Sequence, residues 1–342
     1  MFNLKIIDVS AVVYKGTFAA NYKDRNYYNY PVGGIHYLMR QVATALAIGD
    51  SVVLVFDSPN NFRKNLNPNY KGQRQKNNAV ITQIQTLWDE LPATGLACYR
   101  QDGYEGDDLI NWCVKQMVDS KSFFEIFIIG NDKDLLHNVQ PNVTFKSISA
   151  DVNTVTSNNF TYSIFKDKTV PYNFISAYKV FFGCSSDNIP AFKSDNGLKN
   201  EELFNAYVSL FQMKEIPYIW EYTTNPKILK SFITALSSLT DRDKEDLNTR
   251  VDIIYPADNP GITFTPIGFQ QFNKTALSKF LTLYNDYESL KCLDLSKAYL
   301  SDDDREFIKQ KAYKFKTGAF AVDNNLEVNN LVDSEDLYLK EF

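Results

Sequence analysis

Histidine is almost missing from this chain of 342 residues, with only His36 and His137 present. That excludes a multi-histidine metal site and disfavours a histidine-based triad. Any metal chemistry would rest on oxygen ligands, which suit Mg²⁺ or Mn²⁺. Cysteine is scarce too. Cys98, Cys113, Cys184 and Cys292 show no CxxC spacing, which argues against structural zinc or a disulfide framework and for a reducing compartment. No apolar run approaches the roughly 20 residues of a membrane span. The opening, MFNLKIIDVSAVVYKG, is broken by Lys5 and Asp8 and makes a poor signal peptide. A soluble, cytoplasmic monomer without membrane contact is expected. Nor is there an excess of positive charge: the net charge is −5, so binding to nucleic acid would need a local basic patch.

Three short apolar runs do occur: LKII (4–7), VVLVF (52–56) and EIFIIG (125–130). They are β-branched and nearly continuous, as are strands buried on both faces of a parallel sheet. Helical periodicity lies between them at 33–48, 78–91 and 106–118. This alternation predicts an α/β fold with a central, mostly parallel sheet flanked by helices. From about 170 onward the pattern turns helical, at 171–182, 199–213, 227–239 and 274–291. Loops such as YPADNPG (255–261) separate these segments. The expected division is a core over 1–168 and a mainly helical region over 169–342. From Asp323 to Phe342 the chain holds six acids and one lysine, Lys340. A solvated, frayed end is the ordinary reading of such a stretch; a partner-binding peptide is the functional one.

Each apolar run is followed by a carboxylate: Asp8, Asp57 and, two residues on, Asp132. One such acid is usually a helix cap or turn residue. Three are better explained by a crevice at the carboxyl ends of the strands, where open α/β sheets place their sites. YEGDDLI adds Glu105, Asp107 and Asp108, GNDKDLL adds Asp134, and SSDN adds Asp187. Gathered without cations, these acids would raise one another's pKa and weaken the fold. Divalent cations remove that conflict, and carboxylates around two Mg²⁺ ions are suited to phosphodiester hydrolysis. Taken alone, Asp107 and Asp108 could simply complement a helix dipole.

Acids are absent from Ser58 to Trp88, a span that holds Arg63, Lys64, Lys71, Arg74 and Lys76. A basic segment directly after a strand-end acid suits a grip on phosphate, and Tyr70 within it could stack on a base.

In order along the chain stand IIDVSAVVYKGTF, PVGG, VFDSPNNFRKNLNPNYKGQR, YEGDDLI, IIGNDKDLLHNV and FFGCSSDNIPAF. Together they span about residues 4–192 and resemble the 5′-nuclease superfamily. That family includes the 5′→3′ exonuclease domain of bacterial DNA polymerase I, phage 5′ exonucleases and flap endonucleases. The resemblance implies a PIN-like core with a helical arch near 60–90 and two Mg²⁺ ions, for which Mn²⁺ can substitute. Asp8, Asp57, Glu105 and Asp107 match the acids of the first metal. Asp132, Asp134 and Asp187 match those of the second, with Asp108 close by. Lys71 and Arg74 match the basic pair at the scissile phosphate, with Tyr70 beside them. Tyr14, Lys15 and Gly33 match DNA-contacting positions, and Arg63, Lys64 and Lys76 extend the basic segment.

Two departures stand out. The family's G-D-x-x-D-N reads GCSSDN here, so Cys184 replaces an acid of the second metal, and a thiol suits Mg²⁺ poorly. The family's helix-three-turn-helix carries a Gly-x-Gly-x-Lys hairpin that binds duplex phosphates, often with K⁺. Here it reads FKSDNGLKNEE (192–202), a degenerate form with Gly197 alone and Lys193 and Lys199 as its bases. The expected activity is a metal-dependent 5′ nuclease for primer or flap removal in DNA replication, plausibly phage-encoded. Its substrates would be DNA with 5′ ends or flaps, or RNA–DNA hybrids, and the acidic tail would meet a replication protein. The alternative is a branched-DNA-binding protein with a crippled second metal site.

Overall fold

The computed structural model describes residues 2–19, 32–148, 154–156, 161–165, 168–212, 223–257, 259–268, 271–295 and 300–316. The acidic stretch 323–342 lies outside them. The strands are β1 (Phe2–Asp8), β2 (Ser51–Val55), β3 (Cys98–Tyr99), β4 (Phe123–Gly130) and β5 (Val143–Ser147), in one sheet of order β3-β2-β1-β4-β5. The pairs β1–β2, β2–β3 and β4–β5 are parallel, with Ile6 opposite Val53 and Ile128 opposite Phe145. An antiparallel hairpin follows, β6 (Thr161–Phe165) and β7 (Lys168–Pro171).

The helices among the described residues are α1 (Val9–Phe18), α2 (Gly33–Ala47), α3 (Arg63–Leu66), α4 (Asn78–Glu90), α5 (Gly106–Ser120) and α6 (Ile175–Phe182). After them come α7 (Asn200–Gln212), α8 (Pro226–Ala235), α9 (Asp241–Ile254), α10 (Lys274–Leu283), α11 (Tyr287–Cys292) and α12 (Asp302–Lys316). Several expectations need correction. The segment 171–182 begins as the end of β7 and a 3-10 turn (Tyr172–Phe174) before α6. The segment 274–291 breaks into α10 and α11, because Asn285 takes φ +56° and Asp286 caps a new helix. The basic segment near 60–90 comprises the single turn of α3 and the separate helix α4.

The chain forms two compact units. One comprises Phe2–Phe56, Lys76–Tyr99 and Thr265–Phe342. Its helices α1, α2 and α4 meet at one side-chain amide, that of Gln83, which is 0% exposed. Its Oε1 accepts from the N–H groups of Gly34 and Ile35, at 2.8 and 3.2 Å, and its Nε2 donates to Thr17 Oγ1 at 2.9 Å. This satisfies orphan donors at the start of α2, where the N-cap residue Val32 supplies no side-chain bond of its own. Gly34 is required there, since a Cβ would come within 2.6 Å of Val13 O.

The other unit comprises Asp57–Gln75 and Arg100–Phe264. Its helical part packs α6, α7, α8 and α9 around Val180, Phe181, Tyr207, Phe211, Leu229, Ile233, Leu247 and Val251. Phe174 meets Tyr207 and Phe211 edge to face, with ring centroids 6.1 and 5.4 Å apart. This core fixes α6 and the turn that follows it, and both carry site residues.

Candidate functional site

Within the second unit, the start of α5 collects acids for a local reason. Four unpaired N–H groups and the positive end of the dipole favour carboxylates there. Asp57 Oδ1 accepts from Gly106 N at 2.7 Å, and Asp108 Oδ2 accepts from Glu105 N at 3.0 Å. Asp132 caps the 3-10 turn Lys133–Asn138 in the same way, accepting from Asp134 N at 2.9 Å. Gly183 lies at φ +77°, where a Cβ would approach Ile189 O to 2.5 Å. It turns the chain sharply out of α6 and delivers Cys184 and Asp187.

Basic side chains hold these acids together. The Arg63 guanidinium forks onto Asp108 with bonds of 2.7 and 2.6 Å and also donates to Ile253 O and Tyr255 O. Lys71 Nζ lies 2.6 Å from Glu105 Oε1 and 3.9 Å from Asp187 Oδ1. Arg74 Nη2 donates to Asp187 Oδ1 at 3.0 Å. The Lys179 ammonium on α6 pairs with Asp134 and lies 3.9 Å from Asp187 Oδ2. Glu105, Asp107, Asp134, Lys71, Lys179 and Asp187 line one pocket.

The segment around Lys71 is zipped onto the turn that bears Asp187. Lys71 N donates to Asp187 O at 3.1 Å, Gln73 Nε2 to Ser185 O at 2.8 Å, and Asn188 Nδ2 to Asn69 O at 3.0 Å. Lys71 itself takes φ +52°. A non-glycine residue is held in that region when its surroundings over-determine it, and such residues cluster at functional sites.

Burial and charge tune these groups. Burial lifts Asp134 to about 6, opposed by Lys179 and helped by Asp132 and Asp187. For Asp187, burial is outweighed by Lys71 and Lys179, so its carboxyl titrates below the usual range. Burial raises the Cys184 thiol, which is therefore neutral near pH 7 and donates to Asp187 Oδ2 at 3.1 Å.

Several sequence expectations are corrected here. Arg63, expected to contact nucleic acid, is 3% exposed and fully bonded inside the protein. Asp108, expected near a metal, has both oxygens engaged by Arg63, and its Oδ1 also accepts from Ala257 N at 2.8 Å. Tyr70 offers no ring for a base: it is 4% exposed, and its hydroxyl donates to Glu105 Oε2 at 2.9 Å. In the degenerate hairpin three successive N–H groups are already used within the protein. Those of Asp195, Asn196 and Gly197 donate to Asp243 Oδ1, Ser194 Oγ and Ser194 O.

Lys64, Lys76, Lys193 and Lys199 are exposed. In the first unit, Asp8 caps α1 and Lys15 is exposed. Tyr14 there is half-buried with its ring 4.8 Å from that of Phe18, and Gly33 is buried at the start of α2. Lys179 was missed by the sequence reading, although a lysine inside the apolar run ISAYKVFF signals a buried, partnered cation.

Among the described residues, no three His, Cys, Asp or Glu side chains are gathered closely enough to hold one ion. The donor chemistry of Asp57, Glu105 and Asp107 is that of a hard dication, and the cation now on Glu105 comes from a loop. Asp134 and Asp187 fit a second dication poorly, since a thiol and a helix-borne lysine share their space.

Residues 3–168 match the family model of the 5′-3′ exonuclease, N-terminal resolvase-like domain. The DNA polymerase I of Caldicellulosiruptor bescii is 26% identical over 314 residues, 90% of this chain and 35% of that protein. The DNA polymerase I of Treponema pallidum is 32% identical over 140 residues, 40% of this chain and 14% of that protein. The chain thus spans about a third or less of these polymerases. The 5′-3′ exonuclease of Mycoplasma pneumoniae is 24% identical over 279 residues, 76% of this chain and 91% of the relative. Among solved structures, the bacteriophage T5 D15 flap endonuclease with DNA and metal ions has a TM-score of 0.48 at 14% identity, covering 91% of this chain and 99% of that one. That likeness is too distant to assign any residue its role. The match to the 5′-3′ exonuclease N-terminal domain falls on the segment that bears Asp57, Lys71, Arg74, Glu105, Asp107, Asp132 and Asp134, and over residues 3–168 the chain is similar to that family.

Proposed function

We propose that this chain is a divalent-metal-dependent 5′ nuclease, a 5′→3′ exonuclease or flap endonuclease acting on DNA. The observation that carries the reading is Lys71, a cation on a strained loop, set between Glu105 and Asp187 in a pocket also lined by Asp107 and Asp134. Such a pocket can neutralise a phosphodiester and the acids around it at once.

Glu105, Asp107 and Asp57 are the acids that would hold Mg²⁺ or Mn²⁺, and Asp8 is a further metal acid by its place in the family motif. When bound, the metal supplies a Lewis acid and a source of hydroxide. Lys71 sits on a loop and can exchange its bond to Glu105 for one to the scissile phosphate. Arg74 is 39% exposed in its side chain and faces the same phosphate from further out. Lys64 and Lys76 add an outer, sequence-independent grip on the backbone. Cleavage leaves a 5′-phosphate and a 3′-hydroxyl. The biological task is removal of primers or flaps in DNA replication, with activity on RNA–DNA hybrids.

Cys184 and Lys179 favour a second reading, a protein that binds branched DNA without cutting. Digests of 5′-flap, nicked and hybrid substrates with Mg²⁺ or Mn²⁺ separate the two. The nuclease reading expects products from the 5′ end, lost in Asp8→Asn while DNA binding persists. Binding without products in the unsubstituted protein would establish the second reading.

A further inference from the structure

We propose that Lys179 is a built-in replacement for the second dication, so that this nuclease works with one divalent ion and one fixed ammonium. The proposal rests on the metal-dependent reading above. It starts from charge. Asp134 and Asp187 face each other across the Lys179 ammonium, which pairs with the first and lies 3.9 Å from the second. Two carboxylates this close need a positive charge between them, and the protein provides one covalently. The lysine side chain is 17% exposed and is anchored on α6, whose buried face belongs to the core of the helical part. Unlike Lys71, it is carried by a packed helix.

The neighbouring residue agrees with this. Cys184 stands beside Asp187, its sulfur 3.1 Å from Oδ2 and 3.0 Å from Ser186 Oγ. A neutral thiol brings no charge to offset a dication beside an ammonium, and it is a soft donor for a hard ion. Asp187 is occupied from its other side as well, by Arg74 at 3.0 Å and Lys71 at 3.9 Å. A second dication would meet the repulsion of three basic side chains with one acid fewer to offset it. The ammonium neutralises Asp134 and Asp187 as an ion would. It is also a compact point charge on a stem, always present and insensitive to the metal concentration.

Metal counting tests this without reference to activity. Mn²⁺ is titrated into the full chain at neutral pH, and the free ion is followed by electron paramagnetic resonance. The expected result is one tight site. The double variant Lys179→Met, Cys184→Asp should gain a second site, bound at least tenfold more tightly than any second ion on the parent. Lys179→Arg, which keeps the fixed charge, should still bind one. Circular dichroism checks that each variant is folded. Two sites of similar affinity in the unsubstituted protein would overturn the proposal and leave the metal-nuclease reading standing. No site at all would overturn both. Should Lys179→Met fail to fold, a two-site result for Lys179→Arg would still refute the fixed-charge account.

Discussion

At the scale of single residues, the bases between Asn61 and Gln75 divide by burial. Arg63 and Lys64 are adjacent in sequence, yet one is sealed against Asp108 and the other is exposed. Arg63→Met should destabilise the fold by about 3–5 kcal/mol, because it strands a buried carboxylate. Urea denaturation would read this loss. A change in DNA affinity at unaltered stability would instead make Arg63 a surface contact. Lys71 and Lys64 should separate by kinetics. Lys71→Met should lower kcat by about 10²–10³-fold with little change in binding, since a cation aimed at developing charge acts mainly in the transition state. Lys64→Met should weaken affinity and leave kcat near its original value. Equal losses of rate and affinity for Lys71 would refute the distinction. The acids were legible in the sequence because a carboxylate after an apolar strand is a local pattern. The different tasks of Arg63 and Lys64 were not, because only the return of 253–257 onto α3 and α5 decides which of them is buried. Lys179 was hidden for the same reason, as its partners lie 45 residues earlier and eight later in the chain.

At the scale of elements, β1, β2 and β4 and the helices at 33–47, 78–90 and 106–120 follow the periodicity closely. The apolar runs were long enough to show a period there. Where the apolar run is missing the signal fails: β3 has two residues, and β5 reads VTFKS. Helix α9 escapes the apolar pattern because DRDKEDLNTRVDII is mostly charged. Its buried face is nevertheless Leu247, Arg250 and Val251, at the spacing of a helix, and Arg250 turns inward to donate to Pro190 O at 2.6 Å. The start of α9 depends on its cap. Thr240 accepts from Asp243 N at 3.1 Å, and Asp243 accepts back from Thr240 N at 3.2 Å. Asp243 also holds the 194–195 turn. Thr240→Ala should cost about 1 kcal/mol by thermal denaturation. Asp243→Ala should cost more, because it frees the turn as well. Equal costs for the two would show that the turn contributes nothing.

At the scale of the whole molecule, acids from the start of α5, the turn after β4 and the turn after α6 converge with bases from one loop and one helix. Those from Asp57 to Asp134 fall within residues 3–168, which match a 5′-3′ exonuclease family model, and that strand-end acids lie near a basic segment could be read from the sequence. The balance of charge could not, because it depends on which cation reaches which acid. The most direct measurement is cleavage of a 5′-flap DNA by the purified chain, with the ends of the products identified. The account predicts cutting with Mg²⁺ or Mn²⁺ that yields a 5′-phosphate and a 3′-hydroxyl, is abolished by EDTA, and is lost by at least 10³-fold in Glu105→Gln. Cutting that persists in EDTA, or a Glu105→Gln variant as fast as its parent, would contradict it.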